Sequence, residues 1–173
     1  FVNEDLQNEA YMDGPLPIGF GQTISQPYIV AYMTEILKLE QQHSVLEVGT
    51  GCGYQAAVLS SLAQKVISLE RIKELAMSSR KQLQELGFAN VDVINANGWN
   101  GYQKGAPYDR IIVTAGAKKV PEALIDQLAN SGIMVIPVGK IMFSQTLRII
   151  SKDNNGNVIK KKSFPLRFVR FHY

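Results

Sequence analysis

With 173 residues the chain is long enough for one folded domain, and 46% hydrophobic against 19% charged residues excludes a disordered protein. The net charge of +3 is spread along the chain, and its one tight run, Lys160–Lys162, is typical of a solvated strand or turn rather than a nucleic-acid surface. The single cysteine excludes an internal disulfide, and the two distant histidines, His43 and His172, predict no metal site. Without a membrane-spanning stretch or a signal peptide, we expect a cytoplasmic protein.

The predicted elements begin after a stretch rich in glycine and proline. This stretch, PLPIGFGQTISQP (residues 15–27), is too broken for a strand and too apolar for a plain linker. Apolar residues at helical spacing from Ile29 to Leu37 then predict a helix, with Ser25 as its N-cap and Pro27 in its first turn. Strands are predicted next at VLEV (45–48), VISL (66–69), VDVINA (91–96), RIIVTA (110–115) and IMVIPV (133–138).

Helical patterns separate these strands. The first covers residues 54–63. The second begins at Ile72, buries Leu86 on its apolar face and stops at Gly87. The third is short, begins at Pro121 and includes Leu128. Because the strands are apolar on both faces, the alternation predicts an α/β fold around a mostly parallel, doubly wound sheet. TLRIIS and VIKKKSF, joined by KDNNGN, predict a hairpin, so antiparallel C-terminal strands should end the sheet.

A glycine-rich loop follows the first core strand and precedes a helix. Gly49, Gly51 and Gly53 lie in LEVGTGCGYQ, where glycines allow a tight turn and the close approach of a ligand. Glu70 follows the next strand, at the offset where an acid in this fold accepts hydrogen bonds from a ribose. Together they predict a bound nucleoside; the alternative is a tight strand-to-helix turn without a ligand. The spacing disfavours the dehydrogenase pattern G-x-G-x-x-G, and the loop has no Walker lysine.

Cys52 lies inside this glycine loop. A helix N-terminus can lower the pKa of a thiol, which would suit a nucleophile. No histidine is close in sequence to activate it, so we interpret Cys52 as a small residue tolerated among glycines.

Several motifs resemble known families. Glu47–Gly53 reads E-x-G-x-G-x-G, which resembles motif I of the Rossmann-like S-adenosylmethionine methyltransferases. PLPIGFGQTISQP resembles the signature of the protein-L-isoaspartate O-methyltransferases, which repair isomerised aspartyl residues, and further matches to that family are VLEVGTGCGYQAAVLS, SLERI, NGWNG, APYDRIIVTAGA, VIPVG and VRF. The resemblance implies one Rossmann-like methyltransferase domain over residues 1–173, with an N-terminal substrate and cofactor loop region (1–27), a core (43–139) and C-terminal antiparallel strands (145–173).

The resemblance also implies the site residues. Ser25 matches the active-site serine of the family. The implied S-adenosylmethionine-binding residues are Gln22, Thr23, Ile24, Ser25, Glu47, Gly49, Thr50, Gly51, Gly53, Glu70, Arg71, Ala96, Asn97, Gly98 and Thr114. The implied substrate-binding residues are Pro17, Ile18, Gly19, Ser25, Tyr28 and Val169. The chain departs from the family at Ala96-Asn97-Gly98, where the family has Gly-Asp-Gly; the Asn97 side-chain carbonyl can still accept from an adenine amine.

Three positions keep a structural alternative to a role in the site: Ser25, Trp99 and Asp109. Ser25 could cap the helix as well as contact a substrate. Trp99 could line an adenine pocket or pack in the core, and Asp109 could serve the site or make a structural hydrogen bond. Thr114 ends its strand at the carboxyl edge, where open α/β sheets bind ligands.

The activity that the resemblance implies is methyl transfer from S-adenosylmethionine to the α-carboxylate of L-isoaspartyl residues in damaged proteins and peptides. A peptide α-carboxyl is ionised near pH 7, so positioning rather than a general base should dominate catalysis. The alternatives are a nucleic-acid or small-molecule methyltransferase, and a non-catalytic relative that only binds the cofactor. VTAGA lacks the Asn-Pro-Pro-aromatic segment that a nucleic-acid enzyme would favour. We expect isoaspartyl proteins as partners and no nucleic-acid or membrane partner. The sequence does not determine the oligomeric state, for which our expectation is a monomer.

Overall fold

The computed structural model describes residues 1–139 and 145–166, which contain nine strands and four α-helices. The strands are β1 (Leu16–Gly19), β2 (Gln22–Ile24), β3 (Ser44–Val48), β4 (Lys65–Glu70), β5 (Val91–Asn95), β6 (Tyr108–Val113), β7 (Leu128–Val138), β8 (Gln145–Lys152) and β9 (Val158–Leu166). The helices are α1 (Pro27–Leu37), α2 (Tyr54–Ser60), α3 (Lys73–Glu85) and α4 (Glu122–Asp126).

Seven of these strands form one sheet in the order β5-β4-β3-β6-β7-β8-β9. The pairs from β5 to β7 are parallel, and β8 and β9 are antiparallel to their neighbours. This confirms the predicted doubly wound sheet with antiparallel C-terminal strands. The strand order reverses between β3 and β6, so a crevice opens at their carboxyl ends, where such sheets bind ligands.

Side chains on both faces of the central strands are buried, which explains why these strands are so uniformly apolar. On one face Leu46 and Ile111 pack in a cluster with α4 residues. On the other face Val45 and Ile112 pack against α1 and α2, including Met33. The sheet therefore holds the ends of β3, β4 and β6 in fixed positions for the site.

The stretch that looked too broken for a strand forms a two-stranded hairpin. β1 and β2 pair antiparallel, Leu16 opposite Ile24, and the turn runs through Gly19, Phe20 and Gly21, all with positive φ. Glycine tolerates that conformation, so the residues that argued against a strand are the ones that allow the turn.

The predicted N-cap of α1 is wrong. Gln26 occupies that position, and no side chain caps the helix there. Pro27 is the first helical residue because its fixed φ suits that position. Ser25 therefore lies one residue too early to reach the first-turn amides.

Three helix boundaries also differ from the sequence prediction. α2 ends at Ser60 rather than residue 63, and Leu128 begins β7 instead of belonging to the short helix. α3 ends at Glu85, so Leu86 falls outside its buried face and is 55% exposed. Gly87 has φ +84°, which confirms the left-handed turn predicted there.

Charged residues outside the site have structural roles. The Asp109 carboxylate accepts a hydrogen bond from the Ser44 amide (2.8 Å), which favours the structural role for it. Buried Arg110 donates to the carbonyls of Leu37 and Lys38 and so satisfies the C-terminus of α1. Lys160–Lys162 are exposed on β9, which is consistent with the solvated strand expected.

In the described ranges no helix is both long and apolar enough to cross a membrane.

Candidate active site

Two adjoining cavities open at the carboxyl ends of β3, β4 and β6. The first is lined by Ile18, Gln22, Thr23, Val48, Gly49, Gly51, Leu69, Glu70, Arg71, Ala96, Asn97, Gly98, Thr114 and Ala115. The second is lined by Ile18, Thr23, Ile24, Ser25, Ile29, Val30, Met33, Gly49, Thr50, Gly51, Cys52, Tyr54, Gln55 and Thr114. The shared residues come from the hairpin, the glycine loop and Thr114, so the cavities form one continuous site.

The glycine loop forms the wall between the two cavities. Gly49 has φ +103°, and a Cβ built there would lie 2.4 Å from Thr114 Oγ1. The same hydroxyl donates to the carbonyls of Gly49 (2.6 Å) and Val48 (3.1 Å). Thr114 thus fastens the loop to the end of β6, and only glycine fits at position 49.

Glu70 ends β4 and is buried against the first cavity, with 7% of its surface exposed. Its two carboxylate oxygens accept hydrogen bonds from the backbone amides of Gly51 and Ile72, each 2.9 Å long. The carboxylate therefore ties the glycine loop to the start of α3. Each oxygen keeps a second lone pair, which can accept a hydroxyl from a ligand in the cavity.

The segment after β5 closes the first cavity from another side. Asn97 Oδ1 accepts from the Trp99 amide (3.0 Å) and begins a short turn of 3₁₀ helix. A Cβ on Gly98 would lie 2.2 Å from Val48 Cγ1, so this backbone packs directly on β3. Trp99 packs against the core, which favours the packing role for it. Buried Gln127 holds the following turn by hydrogen bonds to Tyr102 and Asn100.

Glu47 lies beneath the glycine loop and is fully buried. Its Oε2 is 2.5 Å from Ser68 Oγ, which is in turn 2.5 Å from Thr50 Oγ1. Burial raises the pKa of the Glu47 carboxyl from 4.5 to about 8; the hydrogen bond with Ser68 opposes this rise, and the charge of Glu70 adds to it. The carboxyl therefore lies close to the site but does not line either cavity.

Ser25 lines the second cavity at the end of the hairpin. Among the described residues its hydroxyl has no hydrogen-bond partner, since the helix cap expected for it does not form. It is therefore free to bond a ligand.

The structure brings most of the predicted site residues together and leaves a few aside. The predicted residues that line neither cavity are Pro17, Gly19, Tyr28, Glu47 and Gly53. Tyr28 is exposed on α1 and stacks on Tyr32, with ring centroids 6.0 Å apart. Gly53 packs against α3, where its Cβ would lie 3.1 Å from a Leu83 methyl. Val169 falls outside the described residues.

Sequence reasoning missed several residues of the site. Met33 and Gln55 line the second cavity, and Ser68 connects Glu47 to the loop. The signal for Ser68 was a lone hydroxyl in the apolar strand VISL, at the register position opposite Glu47.

Cys52 faces the second cavity, and burial raises the pKa of its thiol. A thiol kept protonated is a poor nucleophile, which favours the small-residue interpretation. His43 is engaged elsewhere, where its Nδ1 accepts from the Glu40 amide at 2.9 Å. In the part of the chain that the structure describes, no three His, Cys, Asp or Glu side chains converge as a metal-binding group.

The glycine loop, the strand-end acid Glu70, the hairpin and the Ser25 hydroxyl that follows it thus meet around one crevice. The family described as protein-L-isoaspartate (D-aspartate) O-methyltransferase matches residues 1–172. The chain belongs to this family. It is 54% identical over 172 residues to the protein-L-isoaspartate O-methyltransferase 2 of Archaeoglobus fulgidus, a match that covers 98% of this chain and 78% of that protein.

Solved structures agree with this membership. One named protein-L-isoaspartate O-methyltransferase superposes with a TM-score of 0.85 and 28% identity, over 94% of this chain and 54% of that one. A Plasmodium falciparum homologue, solved with S-adenosyl-L-homocysteine, has a TM-score of 0.77 and 28% identity, and the match covers 99% of this chain and 92% of that one. The chain spans about half the length of the first of these proteins.

Proposed function

We propose that this protein transfers the methyl group of S-adenosylmethionine to the α-carboxylate of L-isoaspartyl residues in damaged proteins and peptides. The observation that carries the proposal is the pair of joined cavities in a chain of this family. One has the glycine loop and acid of a nucleoside site, and the other has the Ser25 hydroxyl, to which no described residue bonds. A site for cofactor and a site for acceptor are thus adjacent, as a direct transfer requires.

The residues around the first cavity fit S-adenosylmethionine. The free lone pairs of Glu70 suit ribose hydroxyls, and Asn97 lies at the cavity edge, where its carbonyl can accept from adenine. A Cβ at Gly49 or Gly98 would collide with Thr114 or Val48, so both glycines keep backbone at the cavity wall. We assign the cofactor to this cavity, with its methionine part along the glycine loop.

Bound S-adenosylmethionine supplies an electrophilic methyl group on a sulfonium centre. The acceptor is a carboxylate that is already ionised near pH 7, so this chain needs no base to activate it. The Ser25 hydroxyl can donate to one carboxylate oxygen and leave the other free to react. Apolar neighbours, Ile29 and Met33 among them, exclude water from this end of the site.

The site should discriminate isoaspartyl from aspartyl residues by distance. In an isoaspartyl residue the backbone runs through the β-carbonyl, so the carboxylate is one methylene closer to the backbone than in aspartate. Reacting geometry tolerates only small displacements. We assign the wall that enforces this difference to the hairpin β1–β2, which Pro17 stiffens.

The test is methyl transfer from labelled S-adenosylmethionine to an isoaspartyl peptide, its aspartyl twin and RNA in parallel. We expect label on the isoaspartyl peptide alone. Ser25→Ala should lower this labelling, whereas Ser151→Ala should not. Ser151 pairs with Ile133, which lies beside the start of β6, at the end of the sheet away from the cavities. Equal labelling of both peptides, or labelling of RNA only, would contradict the proposal.

The monomeric state, the cytoplasmic location and the lack of a nucleic-acid partner are also proposals. The modest net charge of +3 supports the last of them. Size-exclusion chromatography with light scattering, together with the RNA arm above, tests the first and the last.

A further inference from the structure

A buried carboxyl and two hydroxyls form a hydrogen-bond chain that runs from the sheet to the second cavity. Glu47 on β3 lies opposite Ser68 on β4 in the parallel register, and both have no exposed surface. Thr50, 4% exposed, follows in the glycine loop and lines the second cavity. Both links of the chain are 2.5 Å long, the distance of strong hydrogen bonds between oxygens.

The surroundings of Glu47 disfavour a negative charge. Its Oε1 is buried and has no hydrogen-bond partner among the described residues. An ionised carboxylate with an unpaired oxygen in an apolar interior is costly, whereas a neutral acid leaves only a weak carbonyl acceptor unpaired. Among the described residues, its titratable neighbours are both potential anions: the charge of Glu70 on β4 raises the pKa of Glu47, and Glu47 in turn raises the pKa of Cys52 in the loop. The other neighbouring elements turn apolar residues to this face of the sheet: Ile112 of β6, Ile29 and Met33 of α1, and Leu59 of α2.

We propose that Glu47 is a positioning residue that works as a neutral acid, donating through Ser68 so that Thr50 points its hydroxyl hydrogen into the second cavity. This inference rests on the proposed function, since it assigns Thr50 a task towards the acceptor carboxylate. The elevated pKa of Glu47, about 8, agrees with a neutral acid at pH 7.

The donor in each bond of this hydrogen-bond chain follows from counting the hydrogens available. Towards an ionised Glu47 the Ser68 hydroxyl donates to Oε2. In the neutral acid a proton on Oε1 would have no acceptor, so the proton lies on Oε2 and is donated to Ser68 instead. Ser68 has one hydrogen and must then donate it to Thr50, which leaves the Thr50 hydrogen free for the cavity. If Glu47 is ionised, every donor reverses, and Thr50 presents only lone pairs. A carboxylate acceptor is attracted in the first case and repelled in the second.

The experiment is the pH profile of kcat/KM for an isoaspartyl peptide between pH 6 and pH 9. Wild-type kcat/KM should fall above pH 8, about tenfold for each pH unit once Glu47 is fully ionised. In Glu47→Gln the amide donates to Ser68 at every pH, so the alkaline fall should disappear. Thr50→Val should remove the fall as well, because the last hydroxyl is gone. Ser151→Ala is the matched control and should keep the wild-type profile.

An alkaline fall of unchanged position in Glu47→Gln or in Thr50→Val overturns the proposal. Infrared spectroscopy of the wild-type protein with bound S-adenosylhomocysteine is a second readout, which depends neither on turnover nor on the folding of Glu47→Gln. We expect the carbonyl band of a neutral carboxylic acid at pH 7, its loss by pH 9, and a shifted band in Ser68→Ala. No such band at pH 7 also overturns the proposal. If neither peptide is methylated, the proposed function fails while the infrared result still decides the state of Glu47.

Discussion

Replacing Glu47 by glutamine should change how the stability of the fold depends on pH. In the folded protein burial raises the pKa of this carboxyl from 4.5 to about 8. Between these two values the folded state holds a proton that the unfolded state has released. The free energy of unfolding therefore decreases as pH rises through this window, by about 1.4 kcal/mol per pH unit from this group.

Across the whole window the loss amounts to roughly 5 kcal/mol, a large part of the stability of a domain this size. Below pH 4.5 both states are protonated and above pH 8 both are ionised, so the contribution is constant outside it. The amide that Glu47→Gln introduces cannot ionise, so the variant lacks this slope. Its stability relative to wild type should rise steadily from pH 5 to pH 8.

Urea unfolding of both proteins at pH 5, 6, 7 and 8 measures this difference. Glu35→Gln is the matched control, because Glu35 is exposed on α1 and its replacement makes the same change of charge without burial. The control should follow the wild-type pH dependence. A difference between wild type and Glu47→Gln that stays constant within about 1 kcal/mol would refute the reasoning, since Glu47 would then be ionised inside the fold.

Four further variants test the site. Ser25→Ala should lower kcat/KM for the isoaspartyl peptide and leave the melting temperature unchanged, because the Ser25 hydroxyl does not cap α1. A lower melting temperature would show that Ser25 does cap the helix. Glu70→Gln should weaken S-adenosylhomocysteine binding in calorimetry by about 1–3 kcal/mol, because the glutamine NH₂ would face the Gly51 or Ile72 amide, donor against donor. Unchanged affinity would exclude Glu70 from the site. Gly49→Ala should abolish cofactor binding, because its Cβ would lie 2.4 Å from Thr114 Oγ1, whereas Gly14→Ala, with nothing within 4 Å, should bind normally. Asn97→Asp should bind the cofactor equally or more tightly, and a large loss of affinity would show another role for Asn97.

Local patterns in the sequence were enough to predict the framework of the site. Apolar strands at 45–48 and 66–69 predicted β3 and β4, and Gly49, Gly51 and Glu70, which follow them, do line one cavity. These predictions hold because a buried parallel strand must be apolar on both faces, and because a tight turn at its end needs glycine. Both requirements act over a few neighbouring residues and can be read in chain order.

Only the tertiary structure decided which polar groups meet. Glu47 and Ser68 are 21 residues apart, and their contact exists because β3 and β4 align in one register. The two amide partners of Glu70, and the missing cap at Ser25, depend on where the next helix starts to within one residue. Hydrogen bonds fail over about 1 Å, whereas apolar burial tolerates such shifts. The sequence by itself therefore determined the fold and the place of the site, and packing determined which polar groups bond to one another in it.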